Sequence, residues 1–197
     1  MHRDFRHVET WVFDLDNTLY PPEIRLFDQI EARMTAYVMR EFGLDRETAD
    51  HMRDTFWRNH GTTLAGLIEN YGIDPQPFLD EVHEIDLSRL KPDPVLHAAI
   101  DTLPGRRIVY TNGSRRHAER VTAALGLGAV FDALYGIEDA GFVPKPRREA
   151  FERVFARDGL DPFRAAMFED DPRNLEAPAA LGLVTVLVGA PHEADFI

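Results

Sequence analysis

The apolar run Trp11-Val12-Phe13 stops at two carboxylates one residue apart, Asp14 and Asp16, followed by the turn formers Asn17 and Thr18. On an extended backbone, residues two apart project to the same side, so both acids can emerge together where a strand runs out. The apolar half of such a strand must be buried. Its acidic tip must meet a cation or keep a proton, because two carboxylates at close range repel. An Asp-rich turn closing an ordinary strand fits the same residues.

The stretch beyond Pro21-Pro22 narrows how this strand can be housed. There Leu26, Ile30, Met34, Tyr37 and Val38 recur at spacings of three and four, the signature of a helix with one apolar face. Gly43 stops that helix, and Asp45 can cap a second one carrying Ala49, Met52 and Phe56 inward. Leu64, Leu67, Ile68 and Tyr71 mark a third, stopped by Gly72, and Pro75 or Pro77 opens a fourth with Phe78, Val82 and Ile85. No strand signal interrupts this stretch. From residue 92 the pattern changes to helices over 94–103, 115–125, 147–157 and 172–181, alternating with strands over 108–112, 133–136, 165–168 and 183–188.

Strands alternating with helices predict a parallel sheet covered on both faces, with ligands at the carboxyl ends of the strands. The first strand belongs to that sheet. The expected architecture is therefore an α/β, doubly wound, Rossmann-like core formed by residues 1–19 and 87–197, with a helical block over 20–86 inserted after the first strand. A closing helix after the last strand would be expected, and the chain stops at Ile197.

A chain of 197 residues can hold one such core and a modest insertion. The absence of Cys excludes disulfides, thiolate catalysis and Cys-ligated zinc. A net charge of -12 argues against nucleic-acid polymers and anionic membranes as partners, since both are bound through clustered Lys and Arg. The N-terminus is polar and no apolar run reaches spanning length, so the cytoplasm is the expected location. Of 22 basic residues only Lys91 and Lys145 are lysines, and a compact point charge in a tight site is one job an arginine does poorly.

Three further strand ends carry polar residues. Thr111-Asn112-Gly113-Ser114 offers a hydroxyl, an amide and free N–H groups at a helix start, donors that suit a phosphate, although an Asn/Ser helix cap reads the same way. Lys145 stands between Pro144 and Pro146 on a stiff loop, whereas Lys91, also followed by Pro, lies at the junction with the helical block and reads as a solvated linker residue. Glu169-Asp170-Asp171 brings three acids to one strand tip. Together with Asp14 and Asp16 they call for a cation, and oxygen-only ligands completed by phosphate and water describe Mg²⁺.

Phe13-Asp14-Leu15-Asp16-Asn17-Thr18-Leu19 resembles the first motif of the haloacid dehalogenase-like superfamily, most of whose members are phosphohydrolases. Thr111-Asn112, Lys145 and Glu169-Asp170 with Asn174 resemble its second, third and fourth motifs, in the same order. The resemblance implies Asp14 as nucleophile, Asp16 as general acid/base and Thr111 as phosphate ligand. It also implies Asn112 as a neighbour of the reacting aspartate, Gly113 as part of the phosphate turn, and Lys145 as the cation beside the phosphoryl group. Mg²⁺ would be held by Asp14, Asp16 and Asp170, with Glu169 as an outer partner; a shifted register with Asp170 and Asp171 as the acidic pair stays open. Residues 20–86 would be the helical cap of such enzymes.

The implied activity is Mg²⁺-dependent phosphomonoester hydrolysis through an aspartyl-phosphate. A haloacid dehalogenase would lack an acid two residues after the nucleophile, a phosphomutase would keep it, and a non-enzymatic binding module would have lost at least one motif. Asn17-Thr18-Leu19-Tyr20-Pro21 and the segment from His60 to Leu67 resemble the pyrimidine 5'-nucleotidase-like branch, which acts on nucleoside monophosphates; small sugar or organic-acid phosphates such as phosphoglycolate are the alternative. Asn59, His60 and Thr63, flanked by Trp57 and Tyr71, are then the candidate contacts to a base. A plain connection between helices, with Gly61 as one cap and Thr62 as the next, fits that turn equally well. Of the eight histidines only His60 is singled out, the others reading as surface or satisfied positions. The expected partner is a small phosphorylated metabolite, a mononucleotide on this reading, and the protein a monomer or homodimer.

Overall fold

The structure, a computed structural model, describes residues 4–189. Five parallel strands form one sheet: β1 (Thr10–Phe13), β2 (Arg106–Tyr110), β3 (Ala133–Tyr135), β4 (Ala165–Glu169) and β5 (Val184–Leu187), in the spatial order β3-β2-β1-β4-β5. The chain builds outward from β1 to one edge and then returns to build outward on its other side. β1 is thus the point where the winding reverses, the place where such sheets bind ligands. Phe13 pairs with Val109 on one side and Phe168 on the other, so the residues that follow, Asp14, Tyr110 and Glu169, lie abreast at the strand tips.

Alternation along the strands splits their side chains between two apolar clusters, as a sheet covered on both faces requires. Val12, Ile108, Tyr110 and Met167 pack with Phe151, Val154 and Phe155 of α7 (Arg148–Asp158) on one face. Trp11, Phe13, Val109 and Ala166 lie in the cluster of the other face. That second cluster runs on without a break into the helices inserted between β1 and β2: α1 (Phe27–Phe42), α2 (Arg46–His60), α3 (Thr63–Tyr71) and α4 (Pro75–Val82). The remaining helices are α5 (Pro94–Asp101), α6 (Arg115–Ala124) and α8 (Arg173–Leu181).

The four-helix reading of the inserted stretch therefore matches the structure, and so do its punctuation marks. Asp45 accepts from Thr48 N–H and Thr62 from Ala65 N–H, while Gly43 and Gly72 close α1 and α3 in the left-handed conformation that costs glycine least. β2 ends earlier than expected, at Tyr110, which leaves Thr111 and Asn112 in the turn beyond it. Single turns of 3-10 helix at Pro22–Ile24, Ile137–Ala140 and Pro162–Arg164 are too short to leave a periodic stripe in the sequence. The expected closing helix falls on residues outside those described. Among the described residues no helix is long and apolar enough to cross a membrane.

α2 and α3 meet through Gly66, where a methyl group would stand 2.3 Å from Phe56 Cγ. Ordinarily Gly→Ala in a helix stabilises by about 1 kcal/mol. Here overpacking against a ring in the core should reverse the sign, at a cost of about 1–3 kcal/mol. Gly66→Ala should lower the thermal unfolding midpoint, and Gly66→Ala combined with Phe56→Leu should recover part of the loss; a raised midpoint for the single variant would show that the ring yields freely.

Candidate active site

Asp14 ends β1 with its N–H bonded to the Phe168 carbonyl at 2.9 Å, which holds it against β4 with its carboxylate buried. Lys145, only 1% exposed, reaches the same point from the loop after β3. Its ammonium donates to Asp14 Oδ1 at 2.7 Å, Glu169 Oε2 at 2.7 Å and the Tyr110 carbonyl at 3.2 Å, so its three protons are all used. Lys91 is exposed and donates to the Ser88 carbonyl, as a linker residue would.

The turn after β2 supports this lysine. Asn112 donates its amide to the Lys145 carbonyl at 3.1 Å and accepts the Lys145 N–H at 2.8 Å, a two-point clamp on the backbone. Asn112 thus lines the cavity, as expected of a neighbour of the reacting aspartate, and also holds the Lys145 loop. Thr111 is buried, lines the cavity and accepts the Gly113 N–H at 2.9 Å, which shapes the turn after β2.

Asp14, Glu169 and Asp170 each offer an oxygen within 4.8 Å of the others. Three carboxylates face one ammonium. Burial and then Glu169 push the Asp14 carboxyl up to about 7, outweighing Lys145. Burial also raises Glu169 and, with Asp14 beside it, Asp170. Lys145 is raised despite its burial, by the two carboxylates it bridges. A buried site two positive charges short and built only of oxygen donors fits a hard divalent cation such as Mg²⁺. Asp171 lies outside this group: it pairs with Arg173 and accepts its N–H, so the pair beside Asp14 is Glu169 with Asp170.

Asp16, expected among the metal ligands, is likewise not in that group. Its Oδ1 accepts from the Tyr20 hydroxyl at 2.6 Å and lies 2.9 Å from His117 Nε2. Burial is the largest influence on its carboxyl and raises it, but His117 and Tyr20 together hold it below the usual range. His117 is fully buried and stacks on His83 with ring centroids 4.5 Å apart. Burial and the His117 ring lower His83 to about 3, which keeps it neutral. The sequence reading missed both histidines. For His117 a signal was available, since it falls on the first turn of a helix capped by a residue of the second motif; His83 ends α4, and nothing local marks it.

A cavity of about 440 Å³ opens above the strand tips. Its floor is Asp14, Asp16, Thr111, Gly113, Lys145 and Asp170; its walls come from the inserted helices, apolar at Phe27, Ile30, Leu64 and Phe78 and polar at Glu31, Arg53, Asp54 and Thr63. Asn59, His60 and Tyr71, expected to contact a base, do not line it. Asn59 is exposed, and the Tyr71 ring lies against Phe42. His60 Nδ1 lies 2.7 Å from Glu69, which pairs with Arg147 of the sheet domain's loop at 2.7 Å. That turn docks rather than reads: a Cβ at Gly61 would stand 3.3 Å from the Lys145 carbonyl oxygen. Trp57 and Thr63 do line the cavity, and the Arg173 guanidinium lies 4.2 Å from the Trp57 ring centroid at its edge.

Residues 8–182 match the family described as haloacid dehalogenase-like hydrolase. The chain is similar to phosphate metabolism protein 8 of Saccharomyces cerevisiae, 26% identical over 197 residues that cover 91% of this chain and 61% of that protein, so it spans less than two thirds of this relative. Among solved structures it is similar in fold to the unknown transcript 4 protein of the same yeast (TM-score 0.58, 15% identity, 91% and 89% of the two chains covered). It is also similar in fold to the L-2-haloacid dehalogenase of Xanthobacter autotrophicus (TM-score 0.54, 16% identity, 92% and 77% covered).

A carboxyl raised to about 7 when folded and ordinary when unfolded binds extra protons in the native state between about pH 4 and 7, so metal-free stability should fall as pH rises through that window. A cation relieves the repulsion that causes this. Mg²⁺ should therefore raise the unfolding midpoint clearly at pH 8 and little at pH 5, and Asp14→Asn should shrink the difference. Equal shifts at both pH values would argue against binding at this acid group.

Proposed function

The chain belongs to the haloacid dehalogenase-like hydrolase family, and from that premise we propose that it hydrolyses phosphomonoesters through a phosphoenzyme on Asp14. The observation that carries this reading is the separation of two acids two residues apart into two environments, Asp14 beside Lys145 and Asp16 beside His117 and Tyr20. Groups held so differently can take different roles in one reaction. Residues 1–19 and 87–197 would then act as the catalytic core and residues 20–86 as its cap.

Asp14 attacks phosphorus, and the ester oxygen leaves with a proton from Asp16. His117 and Tyr20 hold Asp16 ionised in the free enzyme, and it takes up that proton as the anionic phosphate enters beside it. Asp16 then takes a proton from water as that water attacks the aspartyl-phosphate, which returns both acids to their starting state. Thr111 and the N–H groups of its turn hold the phosphoryl oxygens, and Lys145 offsets their charge while drawing the Asp14 carboxyl down against the rise that burial imposes. A bound Mg²⁺, held by Asp14 and Asp170 with Glu169 behind them, would supply further neutralisation of phosphoryl charge.

For the leaving group we favour a nucleoside 5'-monophosphate. The resemblance of the His60–Leu67 segment to the pyrimidine 5'-nucleotidase-like branch supports it, as does a cavity wall that pairs apolar faces and Trp57 with polar Thr63 and Arg53, a mixture suited to a flat ring with hydrogen-bonding edges. The name of the yeast relative, phosphate metabolism protein 8, is compatible with this chemistry.

Asp14→Asn should abolish phosphatase activity in a folded protein, and EDTA should do so reversibly. Lys145→Ala should cost about a hundredfold or more in turnover, the scale of losing a preorganised electrostatic contact, while Lys91→Ala should cost little. Substantial turnover by Asp14→Asn would rule out the phosphoenzyme.

In a panel assayed with Mg²⁺, uridine or cytidine monophosphate should show a higher kcat/KM than phosphoglycolate or hexose phosphates. Trp57→Ala and Thr63→Val should erode that preference while sparing p-nitrophenyl phosphate, and Asn59→Ala should leave it intact. A preference for phosphoglycolate over every nucleotide would remove the nucleotide assignment and leave the phosphatase one.

A further inference from the structure

The contacts that hold Asp16 meet on one of its two oxygens. Tyr20 and His117 both converge on Oδ1, at 2.6 and 2.9 Å, while Asp16 lines the cavity. The last torsion of an aspartate is broad and two-fold, so one hydrogen bond fixes it poorly. Two partners arriving on the same oxygen from separate elements, Tyr20 from the β1 loop and His117 from α6, fix it and leave Oδ2 without a hydrogen-bond partner among the described residues.

His117 itself is held on all sides but one. Its N–H bonds Ser114 Oγ at 3.1 Å, and that hydroxyl lies 3.1 Å from His83 Nδ1, which also sits 3.0 Å from the Leu79 carbonyl. The His83 ring, from the end of the inserted helices, stacks on His117 at 21° between planes. Among the described residues, buried His117 Nδ1 has no hydrogen-bond partner. Such an orphan destabilises the fold, and an apolar residue would avoid it, so packing alone gives no reason for an imidazole here. Among the described residues, the hydrogen bond the ring makes is the one between Nε2 and Asp16.

We propose that His117 is a positioning residue for leaving-group protonation: through Nε2 it orients the Asp16 carboxylate toward the ester oxygen, and His83 seats the His117 ring, tying that orientation to the docking of the inserted helices. The proposal rests on the reading of Asp16 as the general acid. Proton and atom balance are those of ester cleavage: Asp16 gives its proton to the departing oxygen as the P–O bond breaks. His117 touches no substrate.

The test is the dependence of kcat/KM on leaving-group pKa, measured with uridine monophosphate, phenyl phosphate and p-nitrophenyl phosphate. A good leaving group departs without protonation, and a poor one does not. His117→Leu should cost about tenfold to a hundredfold on the nucleotide and about threefold or less on p-nitrophenyl phosphate, a fraction of what general acid catalysis supplies, so the dependence steepens. His117→Gln, whose amide nitrogen reaches the place of Nε2, should restore most of the loss, and His117→Asn, polar but shorter, should not; this pair carries the test if the leucine variant does not fold. Equal losses on all three esters, or equal behaviour of Gln and Asn, would overturn the positioning role. A wild-type protein inactive on every ester overturns the phosphatase reading and this one with it, whereas an active wild type with an unchanged slope in His117→Leu overturns this one alone.

Discussion

One buried ammonium organises this site. Lys145 satisfies all three of its protons on Asp14, Glu169 and the Tyr110 carbonyl, and these come from three adjacent strand tips. Removing it would leave two buried carboxylates uncompensated, which costs more than the pair gains by forming. The fold therefore has to deliver the lysine accurately, and the parallel register does so by setting Asp14, Tyr110 and Glu169 abreast. Asn112 completes the delivery by clamping the lysine's own backbone. A charge placed this tightly cannot be swapped for an arginine, whose planar fork needs more room and offers its donors in a fixed plane.

The same arrangement leaves the site short of positive charge, and that shortage is chemically useful. Asp14, Glu169 and Asp170 outnumber the one ammonium among them, so a divalent cation and the phosphate it accompanies can enter without stranding a buried charge. Asp16 is kept apart from this group by His117 and Tyr20. Two carboxylates that the sequence places side by side thus answer to different neighbours, which is what separate roles in one reaction need.

Much of this was legible in the sequence because it depended on local periodicity or on chain order. The alternation of strands with helices and the single stripe of α1 are local patterns, and the structure repeats them. Lys145 could be told from Lys91 by its flanking prolines. What failed depended on distance. Asn59 and His60 looked suited to a ligand, but Glu69 and Arg147, brought close only by the tertiary fold, claim the His60 ring for docking. Whether Asp171 or Glu169 stands beside Asp170 stayed open in the sequence until the pairing of Asp171 with Arg173 was visible. His117 and Asp16 lie 101 residues apart, and no spacing rule connects them.

The contacts that fasten the inserted helices to the core differ in strength by position. At the cavity edge, Arg173 lies over a Trp57 ring that is 42% exposed, and Arg147 pairs with a partly exposed Glu69. Exposed ion pairs and cation–π contacts are each worth about 0–1 kcal/mol, because water competes for them. On the opposite side, His83 is buried against His117 and Ser114, and Arg120 donates to the His83 and Ile85 carbonyls at the end of α4. Breaking those contacts would expose or orphan buried polar groups, which costs more per bond. The contacts between the inserted helices and the core are therefore weakest on the side of Trp57 and Arg173 and strongest beside the His83–His117 stack that sets Asp16.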